Sequence, residues 1–210
     1  MRKVHKSLKN KNRKVSSNNW IHRHINDQYV QQSKIDGYRS RAAYKLLEIN
    51  KKFNIFKNGL VILDLGAAPG SWSQVVKKLA PYSKVLSIDL LNIEPISGVT
   101  TLQKNLYDDD FNQIINQFSN KYDVIMSDIA PNTTGIKSLD HLKIIDICET
   151  IFEIAIKNLN EKGILICKFF QGGLQAELLQ KFKMHFKKVS HFKPNASRVE
   201  SKEIYIIAQK

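Results

Sequence analysis

Two acids and a glycine-rich turn carry the spacing of a nucleoside-binding site. Residues 66–70 read Gly-Ala-Ala-Pro-Gly directly after an apolar run. Small side chains there let a ligand approach the backbone, and the helix that follows offers free N–H groups. Asp89 ends a second apolar run, 23 residues after Gly66. A carboxylate roughly 20 residues beyond such a turn accepts hydrogen bonds from ribose hydroxyls in nucleotide-binding folds. The pyrophosphate fingerprint wants glycine at its first, third and sixth positions, but the third is Ala68 and the sixth is Ser71. A phosphate-free nucleoside cofactor therefore matches better, and S-adenosylmethionine is one. A strand-to-helix turn that binds nothing is always available to a glycine-rich loop alone; Asp89, and Asp128 at the end of a later apolar run, weigh against it. Lys168 closes the run ILIC and precedes two phenylalanines. Burial there favours the neutral amine and a neighbouring carboxylate favours the ammonium, so spacing leaves its protonation open. Taken singly, Lys168 reads as a strand-end lysine reaching solvent. Next to Asp128 it reads as half of a functional pair.

The elements that must position these residues alternate. RSRAAYKLLEINKKF (residues 39–53) predicts a helix, with Ser40 as N-cap, Ala43, Leu46, Leu47 and Asn50 on one stripe, and Lys45 on the same helix. Strands are predicted at VILDL, at KVLSIDLL ending near Asp89, at VTTLQ ending near Asn105, and at YDVIMSDIAP, GILICKFF, VSHF and EIYIIAQ. Helices are predicted from Ser71, from the acidic start at residues 108–110, over 140–159 and over 175–186. Alternation of this kind makes an α/β fold, an open and mostly parallel sheet covered on both faces. Ligands of such sheets bind at the carboxyl ends of the strands, where the strand order reverses.

Composition agrees with one globular domain and excludes fibrous or wholly disordered classes: 210 residues are 42% hydrophobic and 25% charged. The net charge of +14 points to an anionic partner. Residues 1–26 hold eight Lys and Arg and no acid, which predicts a mobile basic arm ahead of a domain over 27–210. A second basic set, Lys181, Lys183, Lys187, Lys188, Lys193, Arg198 and Lys202, lies near the C-terminus. The arm is expected to contact phosphates without regard to sequence, with a strongly salt-dependent affinity, or else to act as an organelle import segment. Cys148 and Cys167 sit in apolar runs, so a reducing, cytoplasmic setting is expected. No stretch approaches the roughly 18 apolar residues of a membrane span. The six histidines are scattered, and no structural metal is expected. Ser71, Ser73 and Ser127 lack a nucleophile-elbow context.

DLGAAPGSW, SDIAPN, KFFQG, RSRAAYKL and SRVESKEIYIIA occur together in that family's order and resemble the heat-shock ribosomal RNA 2′-O-methyltransferases, the RrmJ/FtsJ (RlmE) family, from about Trp20 onward. The resemblance implies a Rossmann-like methyltransferase fold with a seven-stranded sheet and a Lys-Asp-Lys-Glu tetrad at Lys45, Asp128, Lys168 and Glu203. Methyl transfer to a ribose 2′-hydroxyl is an in-line displacement by a poor nucleophile, which needs a base for its proton or positive charge beside the developing alkoxide. In that scheme Asp128 orients Lys168, Lys45 holds the hydroxyl, and Glu203 fixes the lysines. Without the resemblance, Lys45 reads as a solvated helix face and Glu203 as a strand-edge charge. The family's cofactor contacts map to Gly70, Trp72, Asp89 and Asp128. A further contact maps to Asn105, where the family pattern has an acid; an amide oxygen can still accept from an adenine amino group. Trp72 is also a candidate for the core.

The substrate implied is a uridine of large-subunit ribosomal RNA, in the A-loop of the peptidyl-transferase region, modified on an assembled or assembling subunit by a monomer. Two alternatives are an mRNA cap or tRNA ribose as acceptor, and a non-catalytic RNA-binding assembly factor.

Overall fold

A computed structural model describes residues 25–131, 135–170 and 175–210. The expected arm falls almost wholly on residues 1–24, outside the described residues, as do Asn132, Gln171 and Gly172 of the quoted motifs. The described residues begin with a helix that sequence patterning does not announce, α1 (Gln28–Ile35), which buries only Val30 and Ser33. Its start is set by Asp27, whose Oδ1 accepts the N–H groups of Tyr29 (3.0 Å) and Val30 (3.4 Å).

Helix α2 (Ala42–Phe53) begins later than expected, with Arg41 rather than Ser40 at the N-cap. Ser40 Oγ accepts from Ala42 N at 3.2 Å and pairs with Ser71 Oγ at 2.8 Å, which ties the helix start to the next helix. Asn50 is not a stripe residue. Its Oδ1 accepts from Ile55 and Phe56 N–H past the helix end, and Ala43, Leu46 and Ile49 supply the buried face.

The remaining elements are β1 (Val61–Leu65), α3 (Ser71–Leu79), β2 (Lys84–Asp89), β3 (Val99–Gln103), α4 (Phe111–Phe118), β4 (Tyr122–Ser127), α5 (Lys137–Asn158), β5 (Leu159–Phe170), α6 (Gln175–His185), β6 (Lys188–Phe192) and β7 (Glu203–Gln209). They form one seven-stranded sheet in the order β3-β2-β1-β4-β5-β7-β6. Strands β1 to β5 are parallel, and β7 runs antiparallel to both of its neighbours. The third strand stops at Gln103, so Asn105 lies in the loop after it.

Strand side chains alternate between faces. Leu63, Leu65, Leu86, Ile88, Ile125, Cys167 and Ile206 face α4, α5 and α6. Ile62, Val85, Val124, Met126, Ile166, Tyr205 and Ile207 face α2 and α3, meeting Leu46, Ile49, Trp72, Val75 and Val76. Each fully buried aliphatic side chain of this kind contributes about 1.5–3 kcal/mol. Helices cover both faces, as the alternating pattern predicts. The order reverses between β1 and β4, so their carboxyl ends, Gly66 and Asp128, flank the crevice where ligands of such sheets bind. No helix among the described residues is long and apolar enough to cross a membrane.

Candidate active site

The alternation that builds the core also gathers the tetrad. Asp128 follows β4 in the phase of Val124 and Met126, Lys168 shares the phase of Ile166 on β5, and Glu203 shares that of Tyr205 and Ile207 on β7. All three therefore face α2, which carries Lys45. The β5–β7 register sets Lys168 opposite Tyr205. Lys168 Nζ lies 3.0 Å from Asp128 Oδ1 and donates to the Asp128 carbonyl at 2.6 Å. Lys45 Nζ lies 3.1 Å from Glu203 and 3.6 Å from the same Asp128 Oδ1. Tyr205 donates its hydroxyl to that oxygen at 2.6 Å.

Lys45, Lys168 and Glu203 are only 9%, 7% and 8% exposed, so the solvated-face and strand-edge readings do not hold. Two ammonium and two carboxylate groups offset one another in a buried cluster, the arrangement that buried charge requires. Burial pushes the Asp128 carboxyl up, but the Lys168 and Lys45 ammoniums and the Tyr205 hydroxyl outweigh it and hold the group below the usual carboxylate range.

A cavity of about 380 Å³ opens at the switch point, lined by Gly66 and Ala68 after β1, Asp89 after β2, Asn105 after β3 and Asp128 after β4. Its walls include Ile88, Leu106, Phe111 and Ile129, apolar faces suited to a flat base. Asp89 accepts from Ala68 N at 2.9 Å through one oxygen and from Leu91 N at 2.8 Å through the other, leaving a lone pair on each for a diol. Asn105 Oδ1 already accepts from Tyr107 N at 3.1 Å, so only part of its capacity faces the cavity.

Gly70 is not among the lining residues. It is the N-cap of α3, with φ 104°, whereas Gly66 and Ala68 of the same turn do line the cavity. Trp72 is core, 3% exposed, with its indole N–H on the Ala42 carbonyl at 2.9 Å and its ring 5.8 Å from that of Tyr205. It reaches only a narrow throat of about 40 Å³, shared with Asp64, Gly66 and Asp128. Beyond the tetrad a second cavity of about 380 Å³ is lined by Arg41, Lys45, Arg198, Glu200 and Glu203 among others. The tetrad thus stands between two chambers.

Residues 38–210 match the family of FtsJ-like methyltransferases. The chain belongs to this family. Proteins of Rickettsia akari and Rickettsia bellii named ribosomal RNA large subunit methyltransferase E are 52% and 50% identical to the methyltransferase over 205 residues, 94% of this chain and 90% of theirs. A crystal structure from Plasmodium falciparum, assigned as a ribosomal RNA methyltransferase, superposes with a TM-score of 0.74 at 31% identity, covering 82% of this chain and 98% of that one.

Two groups in the candidate site escape sequence reasoning. Tyr205 sits inside the apolar string EIYIIAQ, and only the register with β5 brings its hydroxyl to Asp128. Asp64 lies within VILDL, fully buried, accepting from Ser73 Oγ at 2.6 Å. Burial, against the Ser73 hydrogen bond and with help from the charges of Asp128 and Asp89, pushes its pKa up to about 7. A lone acid inside a buried strand was the available signal for Asp64.

Proposed function

We propose that this FtsJ-like methyltransferase transfers the methyl group of S-adenosylmethionine to a ribose 2′-hydroxyl of large-subunit ribosomal RNA. The observation that carries the reading is the buried Lys45–Asp128–Lys168–Glu203 cluster, of which Asp128 lines a cofactor-sized cavity while Lys45 and Glu203 line a second chamber. The cofactor fits the first cavity by volume, by its apolar walls and by the spare lone pairs of Asp89. When bound, S-adenosylmethionine supplies an electrophilic methyl on a sulfonium. Asp89 would hold its ribose, Gly66 and Ala68 would admit it close to the backbone, and Asn105 would border its base.

The second chamber would seat the acceptor nucleotide, with Arg41 and Arg198 at its wall for the backbone. At the edge of that chamber Lys168, once it has given up its ammonium proton, would take the hydroxyl proton while the Lys45 ammonium stabilises the developing oxyanion; the carbon–oxygen bond would form as the methyl–sulfur bond breaks, with the sulfur leaving as a neutral thioether. Asp128 orients both lysines through one oxygen, and Glu203 holds Lys45. The names of the Rickettsia relatives support ribosomal RNA of the large subunit as substrate, with an A-loop uridine as the finer expectation. Residues 1–26 and the C-terminal lysines would add phosphate contacts.

The test uses the purified chain, labelled cofactor and undermodified large ribosomal subunits, with the labelled nucleotide mapped. Lys168→Ala is expected to lower kcat by about 10²–10⁴-fold, the usual worth of a proton-transfer group, with cofactor affinity retained. Activity equal to wild type in that variant refutes the assignment. Label appearing only on tRNA or a cap transfers the function to those acceptors.

A further inference from the structure

We propose that Arg39 is a positioning residue that staples together the two loops walling the cofactor cavity; the proposal rests on the function above. One wall is the turn after β1, with Gly66 and Ala68; the facing wall is the connection after β2, with Asp89, Leu90 and Leu91. Arg39 borders neither cavity wall itself, but its guanidinium joins them from behind. Nη1 donates to the Pro69 carbonyl at 2.8 Å and to the Glu94 carbonyl at 2.7 Å, and Nη2 donates to the Pro95 carbonyl at 2.9 Å.

The backbone of Arg39 is held as well. Its N–H donates to Gln74 Oε1 at 2.9 Å, and Gln74 Nε2 donates to the Gly37 carbonyl at 3.0 Å, which fixes the segment to α3. The guanidinium therefore starts from a rigid base. It delivers three charge-assisted hydrogen bonds to carbonyls on two different loops. A planar fork can span both loops at once, whereas a lysine ammonium is a point donor that reaches one.

Gly70 completes the device. A Cβ there would come within 2.8 Å of Arg39 Nη1 and 2.6 Å of Ile96 Cδ1, on a backbone with φ +104°. The glycine is thus required by the staple packed against it, which accounts for a conspicuous motif residue that does not line the cavity. The consequence is functional: the distance from Asp89 to Gly66 and Ala68 is set jointly by the Ala68–Asp89 hydrogen bond and by Arg39.

The experiment measures S-adenosylmethionine affinity by calorimetry, RNA affinity by filter binding, and hydrogen exchange of the cofactor-free chain, for wild type, Arg39→Ala and Arg39→Lys. Arg39→Ala is expected to weaken cofactor binding about tenfold or more, the worth of one lost charge-assisted bond. RNA affinity stays within about twofold, and residues 89–96 exchange faster without cofactor. Arg39→Lys recovers part of the cofactor affinity, which also shows that the effect is not a general failure to fold. Unchanged cofactor affinity in Arg39→Ala, or an equal loss of RNA affinity marking a phosphate contact instead, overturns the staple. A wild-type chain that binds no S-adenosylmethionine refutes the proposed function and not this assignment.

Discussion

Replacing Tyr205 by Phe isolates one hydrogen bond in the proposed active site. The ring is fully buried against Trp72, and Phe keeps its volume, so no cavity forms. What is lost is an O–H donated at 2.6 Å to Asp128 Oδ1, the oxygen that also faces both lysines. A hydrogen bond to a charged acceptor is worth about 1.5–3 kcal/mol. If the bond holds Asp128 in the geometry that aims Lys168, kcat falls about 10- to 100-fold. The pH dependence gives a second, independent readout. The Tyr205 hydrogen bond is among the causes that hold Asp128 below the usual carboxylate range. Its removal raises that pKa, so the acidic limb of the rate profile moves to higher pH. Initial rates with labelled cofactor from about pH 3 to pH 9, a window that takes in the carboxylate range, measure both effects, with melting and cofactor affinity as controls. A kcat within about twofold of wild type together with an unmoved acidic limb refutes the reasoning.

Asp64 offers a stability test with the opposite sign. Its pKa is raised to about 7 in the fold, so from about pH 4 to 7 the unfolded chain binds fewer protons and stability falls as pH rises. Over that window the contribution reaches ~4 kcal/mol. Asp64→Asn removes this slope, and urea melts at pH 4 and pH 7 measure it; parallel pH dependence in the two proteins counts against the assignment. Gly66→Ala places a Cβ 2.0 Å from Ile129 Cγ1 at φ +70°. Left-handed strain of about 1–2 kcal/mol and overpacking of about 1–3 kcal/mol predict a fall in Tm of about 5–15 °C, and a melting curve overlying wild type would contradict it.

Much of the fold is legible because apolar runs and glycine turns are local signals. Residues 61–65, 84–89 and 122–127 are strands where the runs predict them, and Asp89 closes its strand as expected. Helix boundaries were less legible. Ser40 has the chemistry of an N-cap, yet its hydroxyl is shared with Ser71 of α3, a partner 31 residues away that no local pattern contains. Helix α1 has a polar sequence and depends on one capping acid, so its apolar periodicity is too weak to announce it. Asn105 and Trp72 are expected at the cofactor from their places in the chain. What spacing does not show is that Asn105 Oδ1 also accepts the Tyr107 N–H and that the Trp72 indole packs into the core on the Ala42 carbonyl.

By itself the sequence determined the alternating α/β order, the nucleoside-type turn with its distant acid, and, through five ordered motifs, the four residues of the tetrad. Those are properties of residue type and spacing along the chain. Only the tertiary structure decided that Lys45, Asp128, Lys168 and Glu203 share one face of the sheet, because that depends on strand phase and on the β5–β7 register that pairs Lys168 with Tyr205. The same registers brought Tyr205 to Asp128, and packing behind the cavity brought Arg39 to the carbonyls of two loops. Lys168 and Glu203 are 35 residues apart in sequence, and what makes them one site is the hydrogen-bond ladder between their strands.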